Sequence, residues 1–269
     1  MVHDEARGRL LERLDWMRIE PGVALDVGCA TGLTARALAE RFPNARVLGL
    51  DWSAAMLGAA RAESAAGPPL AWVRAAAERL PLRAGSVDLA VLNLSLPWCD
   101  PRAVFAELAR VIAPGGLVLF ATLGPDTAAE LRRAWRTADD ALHVHAFVDM
   151  HDIGDLLVAA GLAEPVLDVD AIELSYGSVD ALVRDFRAWG AVNVAAGRRK
   201  TLTGPRRWRR FAGVLDADAP FSVTIELGLG HAWGTGLATQ GGGDGEFALP
   251  ADAIRRRRRQ GPPNGGANE

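Results

Sequence analysis

An α/β fold with a mostly parallel, seven-stranded sheet and helices on both faces is the architecture that the sequence predicts. Short apolar runs alternate with helical patterns through the first half of the chain, which is typical of a parallel sheet. The hydrophobic share is 49%, and a chain of 269 residues is long enough to bury a sizeable core. Extra helices are expected after the fifth and the sixth strands.

Residues 23–32 form the first unit of this pattern. The apolar run before Gly28 contains one polar residue, Asp26, and a helix is predicted over 32–42. Glycine permits positive φ and lets a ligand approach the backbone closely. The free N–H groups and partial positive charge at the start of the helix then face whatever fills the turn. A nucleotide is the usual occupant of such a turn.

The remaining elements follow from apolar periodicity and capping residues. Ser53 and Asp100 are placed as N-caps of two helices, and Pro101 suits the first turn of the second. We predict strands over 23–27, 46–51, 70–73, 87–94, 117–123, 166–174 and 221–229. We predict helices over 4–17, 32–42, 54–64, 101–112, 126–138, 149–160, 178–189 and 205–215.

Residues 1–239 are predicted to form a single domain, followed by a disordered tail over 240–269. From Gln240 onward the composition shifts to Gly, Pro, Asn and Arg, which cannot bury enough apolar surface to order the segment. The run Arg255–Arg259 within it is interpreted as solvated charge in preference to a contact with nucleic acid or an acidic partner.

Composition argues against several classes of function. The net charge of −3 argues against a general nucleic-acid binder, and no apolar run is long enough to span a bilayer. The first residues do not resemble a signal peptide, so we expect a cytoplasmic protein without membrane attachment. Cys29 and Cys99 lie far apart without metal-ligand spacing, which predicts reduced thiols and no metal site.

Two acidic residues indicate which nucleotide the glycine turn binds. Leu33 occupies the last glycine position of a dinucleotide motif, which weakens that interpretation. Asp51 closes the second strand 25 residues after Asp26, a spacing that suits a strand–helix–strand unit. The pattern resembles the S-adenosylmethionine site of class I methyltransferases, which are Rossmann-like. A glycine turn in another α/β domain is the alternative.

This resemblance implies that Asp26 lies beneath the amino-acid half of the cofactor and that Asp51 binds its ribose hydroxyls. Trp52 is placed near the adenine by position alone. The other candidates lie in the turn or near the carboxyl ends of strands, where ligands of parallel sheets bind. The complete set of cofactor-binding candidates is Asp26, Gly28, Cys29, Ala30, Gly32, Asp51, Trp52, Ala77, Glu78 and Asn93.

A closer resemblance covers roughly residues 8–235. Gly-Pro-Asp-Thr at 124–127 and Asp-Met-His-Asp-Ile-Gly at 149–154 resemble the malonyl-[acyl-carrier-protein] O-methyltransferases of biotin synthesis, as does Gly-His-Ala-Trp at 230–233. The resemblance implies methylation of the free carboxylate of a malonyl thioester. It also implies S-adenosylmethionine as the cofactor and acyl carrier protein as the partner.

No general base is expected in the substrate site, because a carboxyl group with an ordinary pKa of roughly 4 is ionised at pH 7. An anionic nucleophile still needs an anchor, and the resemblance implies that Arg198 holds it in a two-pronged geometry. Asn193 and Trp98 are the further substrate-binding candidates. The basic segment Arg198–Arg210 is the candidate docking face for an acidic carrier protein, with an ordinary solvated helix as the alternative.

Three departures from the family pattern leave other functions open. The chain starts after the aromatic N-terminal arm of the family, Ala76 stands where the family has an Asp for the adenine, and His143–Phe147 lacks an arginine. One alternative is a protein resembling the complex I assembly factors of the same superfamily. Another is a non-catalytic binding module with this fold, which Ala30 in the glycine turn also suggests.

Overall fold

The computed structural model describes residues 2–236 except residues 66, 68, 192 and 196. Its strands are β1 Val23–Val27, β2 Arg46–Asp51, β3 Leu70–Arg74, β4 Val87–Asn93, β5 Ile112–Leu123, β6 Leu162–Tyr176 and β7 Phe221–Gly234. Its helices are α1 Val2–Arg13, α2 Leu33–Arg41, α3 Ala54–Glu63, α4 Pro101–Val111, α5 Ala129–Arg136, α6 Met150–Ala159, α7 Val179–Ala188 and α8 Pro205–Asp216. The tail predicted over 240–269 lies outside the described residues.

One sheet contains the strands in the order β3-β2-β1-β4-β5-β7-β6. The first five in this order pair in parallel, whereas β7 runs antiparallel to both β5 and β6. Helices α5 and α6 follow the fifth strand of the chain, and α7 and α8 follow the sixth. The predicted fold class is therefore confirmed.

Each central strand contributes to two apolar cores because successive side chains point to opposite faces of a sheet. In β4, Leu89 and Val91 pack on one face and Ala90 and Leu92 on the other. Helices α1, α2, α5, α7 and α8 cover the first face, and α4 and α6 cover the second. The four β4 side chains are fully buried, which explains why the strand is a continuous apolar run.

The predicted fifth, sixth and seventh strands are too short, because an apolar pattern does not show how far the backbone pairs with the neighbouring strand. β5 begins at Ile112 instead of residue 117, since Ile112 pairs with Val87 before the register shifts. β6 and β7 pair along almost their whole lengths, from Leu162 with Gly234 to Tyr176 with Phe221. The predicted bounds 166–174 and 221–229 cover only the parts with clear strand composition.

Helix α1 brings the start of the described chain to the carboxyl end of β4. It packs against β4 and β5, and the ion pairs Arg9–Asp170 and Arg13–Asp168 tie it to β6. The carbonyl oxygen of His3, in the first turn of α1, accepts a hydrogen bond from the Asn93 side-chain amide at 3.0 Å. No helix of the described part of the chain is both long and apolar enough to cross a bilayer.

Candidate functional site

The turn between β1 and α2 requires glycine at two positions. Gly28 has φ +74 and Gly32 has φ +80, in the left-handed region that L side chains rarely adopt. A Cβ on Gly28 would also collide with the side chain of Ser95. Ser95 is held there by its hydroxyl, which donates to the Val27 carbonyl oxygen at 2.9 Å. The turn therefore packs tightly against the segment that follows β4.

Trp72 on β3 is a neighbour of this turn that the sequence pattern did not indicate. A Cβ on Gly32 or on Gly49 would collide with its indole ring. Trp52, the predicted aromatic neighbour of the adenine, is 75% exposed, and its role stays a prediction. Gly49 inside β2 is the sequence signal that could have indicated this contact, because glycine in a strand often marks the close approach of another group to the backbone.

Asp26 lies at the end of β1 with only 1% of its surface exposed. The backbone N–H of Ala35, in the first turn of α2, faces its carboxyl group and lowers its pKa. This helix has no side-chain cap at Gly32, so its first N–H groups remain open towards the end of β1. The Asp26 oxygen Oδ2 has no hydrogen-bond partner among the described residues.

Burial raises the pKa of Asp26 to about 7. This net value also includes an increase from the nearby Asp51 carboxylate and decreases from the Ala35 N–H and the Arg7 guanidinium. A buried carboxylate with an unused acceptor and a raised pKa gains free energy when a cation approaches it. The end of β1 is thus prepared for a positively charged group.

A second buried acceptor lies at the end of β4. Asn93 uses its amide N–H for the His3 carbonyl, but its Oδ1 is buried without a partner among the described residues. An ammonium group has three donors and no acceptor, and S-adenosylmethionine carries one in its amino-acid half beside a positive sulfonium. The acceptors of Asp26 and Asn93 fit this part of the cofactor.

Asp51 ends β2 and is 8% exposed. One carboxylate oxygen accepts the Ala30 N–H at 3.0 Å and the other accepts the Ser53 N–H at 2.8 Å. Each carboxylate oxygen has more than one lone-pair site, so both retain room for a hydroxyl donor. Asp51 therefore fits the two hydroxyls of a ribose.

The remaining candidates Ala77, Glu78 and Cys29 are buried or half-buried. Ala77 is buried, and Glu78 is half-buried with Oε1 accepting the Asp100 backbone N–H at 3.2 Å. Cys29 is buried, and burial raises the pKa of its thiol. Cys29 thus remains protonated at neutral pH, as expected for a packed thiol. No cluster with metal-ligand composition occurs within the described residues.

Ala30 has φ +46, so its methyl group sits in a strained conformation. We expect Ala30→Gly to raise the free energy of unfolding by about 1 kcal/mol, because glycine removes this strain. Denaturant unfolding without ligand measures the change. Ala55→Gly on the exposed face of α3 is the control and should lower stability by about 1 kcal/mol. Equal destabilisation by both substitutions would contradict the prediction.

An apolar cavity of about 160 Å³ lies at the carboxyl end of β4, where Leu94, the residue after Asn93, forms part of its wall. Leu94 follows β4 and Leu123 ends β5, and both line the cavity together with Ile225 from β7. The predicted substrate residues Trp98 and Asn193 both line it. The other lining residues are Val2, His3, Thr127, Ala128, Leu131, Trp135, His143, Val144, His145, Phe147, Phe186, Trp189 and Ala191.

Arg198 lies outside the lining of this cavity. Its side chain is exposed, and its guanidinium donates to the Ala195 carbonyl oxygen at 3.1 Å. Its backbone nevertheless pairs with Leu142, the residue before His143 in the cavity wall. The structure therefore brings Asn193 and Trp98 together in the cavity and places Arg198 beside the wall.

Comparison with known proteins matches residues 25–120 to a family model described as a methyltransferase domain. The YcgJ protein of Bacillus subtilis has a similar fold, with a TM-score of 0.61, 17% identity and coverage of 86% of this chain and 98% of that chain. Geranyl diphosphate C-methyltransferase from Streptomyces coelicolor A3(2), solved with S-adenosyl-L-homocysteine, gives a TM-score of 0.52 at 12% identity, covering 84% and 75%. Fold and site together define a class I, S-adenosylmethionine-dependent methyltransferase.

Curated relatives identify the family within this class. The malonyl-[acyl-carrier protein] O-methyltransferase of Gallionella capsiferriformans is 42% identical over 84% of this chain and 81% of its own length. That of Laribacter hongkongensis is 44% identical over 87% and 82%. The chain belongs to the malonyl-[acyl-carrier protein] O-methyltransferase family, and the relatives do not favour the assembly-factor alternative.

Proposed function

We propose that the protein methylates the free carboxylate of a malonyl thioester on acyl carrier protein, as a step of biotin synthesis in the cytoplasm. The observation that carries this proposal is the apolar cavity at the end of β4, whose wall contains Leu94, the residue after Asn93, and His3, whose carbonyl oxygen accepts a hydrogen bond from Asn93. The names of the relatives supply the substrate. Esterification removes the negative charge of the carboxylate, so the product can pass as an ordinary acyl chain.

S-adenosylmethionine, when bound, supplies the methyl group. Asp26 and Asn93 hold its ammonium end, and Asp51 holds its ribose. The apolar walls of the cavity exclude water, which would favour in-line displacement: a carboxylate oxygen bonds to the methyl carbon as the bond from that carbon to the sulfonium sulfur breaks, leaving neutral S-adenosylhomocysteine. The nucleophile is already an anion at pH 7, so the transfer needs no proton acceptor from the protein.

Arg198 and Asn193 are the proposed anchors of the malonyl carboxylate. Asn193 Nδ2 donates to the Leu142 carbonyl oxygen at 2.8 Å, and an amide has a second N–H that remains for a ligand. Leu142 also pairs with the Arg198 backbone. We propose that the exposed Arg198 side chain turns its guanidinium towards the wall that Asn193 shares when the substrate binds. Trp98 forms the apolar side of the same site.

The carrier protein is proposed to dock on the segment Arg198–Arg210. Arg206, Arg209 and Arg210 are exposed, and Leu202 in the same segment is 96% exposed. A positive surface with an apolar centre complements an acidic partner and speeds its association. This interaction requires neither a membrane nor nucleic acid.

Arg198→Ala is expected to reduce methyl transfer at least 100-fold, because the substrate carboxylate loses a charge-assisted pair. Methyl ester formation on malonyl-carrier protein is measured by intact mass. S-adenosylmethionine affinity, measured calorimetrically, should stay unchanged. Arg133→Ala, an exposed arginine on α5, is the control for loss of surface charge. Equal rates for Arg198→Ala and the parent would remove Arg198 from the site.

Two measurements separate the proposed function from the binding-module alternative. Isothermal titration with millimolar S-adenosylmethionine should give heat, and its absence would favour a scaffold. Complementation of a biotin auxotroph lacking the family enzyme should restore growth without biotin. A stable, soluble protein that binds the cofactor but neither restores growth nor esterifies the carrier would contradict the proposal.

A further inference from the structure

Most polar side chains in the cavity wall already use their hydrogen-bonding groups. Thr127 Oγ1 bonds to the Glu226 carbonyl oxygen at 3.2 Å, and Asn193 Nδ2 bonds to the Leu142 carbonyl oxygen at 2.8 Å. His143 Nε2 lies 2.7 Å from an Asp139 carboxylate oxygen. These contacts hold the wall in place and leave few groups to meet a substrate.

His145 is different, because its Nδ1 is buried and has no hydrogen-bond partner among the described residues. The ring stacks on Trp98 at a centroid distance of 6.3 Å and an interplanar angle of 20°. It also meets the edge of Phe147 at 5.3 Å. Two aromatic neighbours therefore fix the imidazole in a cavity wall, and leaving such a nitrogen without a partner costs free energy.

A second, smaller cavity of about 70 Å³ lies next to the first, and His145 lines both. Both are lined by His145, Leu123 and Phe147. The second continues along Leu96 and Pro97, past the end of β4. An acyl group delivered by a carrier protein needs such a continuation, because its arm must extend away from the reacting end.

We propose that His145 is a substrate-binding residue whose Nδ1–H donates a hydrogen bond to the thioester carbonyl oxygen of the malonyl group. The inference rests on the proposed function. A malonyl thioester has a carboxylate at one end and the thioester carbonyl at the other, separated by one methylene group. With the carboxylate anchored in the first cavity and the arm directed to the second, the thioester carbonyl comes to the wall that the two cavities share, which contains His145. The neutral tautomer with a proton on Nδ1 supplies the donor.

Replacing the imidazole tests this role in the full-length protein with malonyl-carrier protein as substrate. His145→Leu keeps the apolar contacts but lacks a donor, and its KM should rise roughly tenfold, as for the loss of one buried hydrogen bond. The S-adenosylmethionine Kd should stay within twofold of the parent value. His145→Asn retains an N–H donor and should recover most of the affinity. His151→Leu on α6, whose ring is 98% exposed, is the control and should behave as the parent.

The outcomes separate this inference from the proposed function. If the parent esterifies malonyl-carrier protein and His145→Leu leaves KM unchanged, the role of His145 is wrong and the function stands. A rise in KM that His145→Asn fails to reverse, or that accompanies an equal loss of cofactor affinity, also overturns the role. If the parent forms no ester on any malonyl thioester while binding the cofactor, the function itself fails.

Discussion

Asp51→Ala is expected to weaken S-adenosylmethionine binding by roughly 100-fold. The carboxylate accepts two backbone N–H groups, from Ala30 and Ser53, and we propose that its remaining acceptor sites bind the ribose hydroxyls. Hydrogen bonds to a charged acceptor are worth roughly 1.5–3 kcal/mol each, and the substitution also leaves two backbone donors of the turn without their acceptor. Isothermal titration measures the change.

A matched control distinguishes this effect from a general loss of negative charge. Asp155 on α6 is exposed and lies on the other face of the sheet from α2. Asp155→Ala should leave cofactor affinity unchanged, and thermal unfolding of both variants establishes that each is folded. A dissociation constant for a folded Asp51→Ala variant within threefold of the parent would exclude a ribose contact.

Asp26→Asn is expected to stabilise the cofactor-free protein at pH 8 and to weaken cofactor binding. The folded-state pKa of Asp26 is raised to about 7 from its ordinary value of 3.8. Between these values the folded state binds more protons than the unfolded state, so the free energy of unfolding falls as pH rises. Above pH 7 the buried, ionised carboxylate lowers the free energy of unfolding by about 4 kcal/mol. Asparagine has no charge to bury, so it avoids this loss, and its side-chain oxygen can still face the Ala35 N–H.

Thermal unfolding at two pH values checks the sign of this effect. At pH 8 the Asp26→Asn variant should unfold at a higher temperature than the parent, and near pH 4 the difference should almost vanish. A variant that is less stable than the parent at pH 8 would contradict the buried, charge-destabilised state of Asp26.

Cofactor binding should lower the pKa of Asp26, because the positive ammonium and sulfonium groups stabilise its ionised carboxylate. Binding between pH 6 and 7 is therefore expected to release protons from Asp26. Isothermal titration in two buffers with different ionisation enthalpies counts them. Asp26→Asn should abolish this release, and an unchanged proton count would assign the release to another group.

The sequence was sufficient to predict the parts of the candidate site that depend on neighbouring residues in the chain. Asp26, Gly28 and Asp51 each follow from the ends of predictable strands and from the turn between β1 and α2. These strands pair in parallel, so their carboxyl ends necessarily meet at one edge of the sheet. The positive φ of Gly28 likewise agrees with a turn that needs glycine.

Contacts between distant segments were beyond the reach of sequence pattern. Trp52 is placed near the adenine only because it follows Asp51 in the chain, and this stays a prediction. The packing of Trp72 against Gly32 and Gly49 depends on the pairing of β3 with β2, which local pattern does not give. His145 lies in a connector without periodicity, and only the folded chain brings it onto Trp98. The sequence also left the sign of the Ala30 φ undecided, because this angle depends on the hydrogen bond from the Ala30 N–H to Asp51.

The antiparallel last strand has a practical use for experiments on the immobilised protein. β7 ends at Gly234, which pairs with Leu162 at the start of β6, while Trp233 pairs with Leu117 in β5. The backbone therefore leaves the sheet at the amino ends of the parallel strands, remote from Gly28 and the cavity. Attachment to a sensor surface through this side should leave the mouth of the cavity facing the solution that carries the partner.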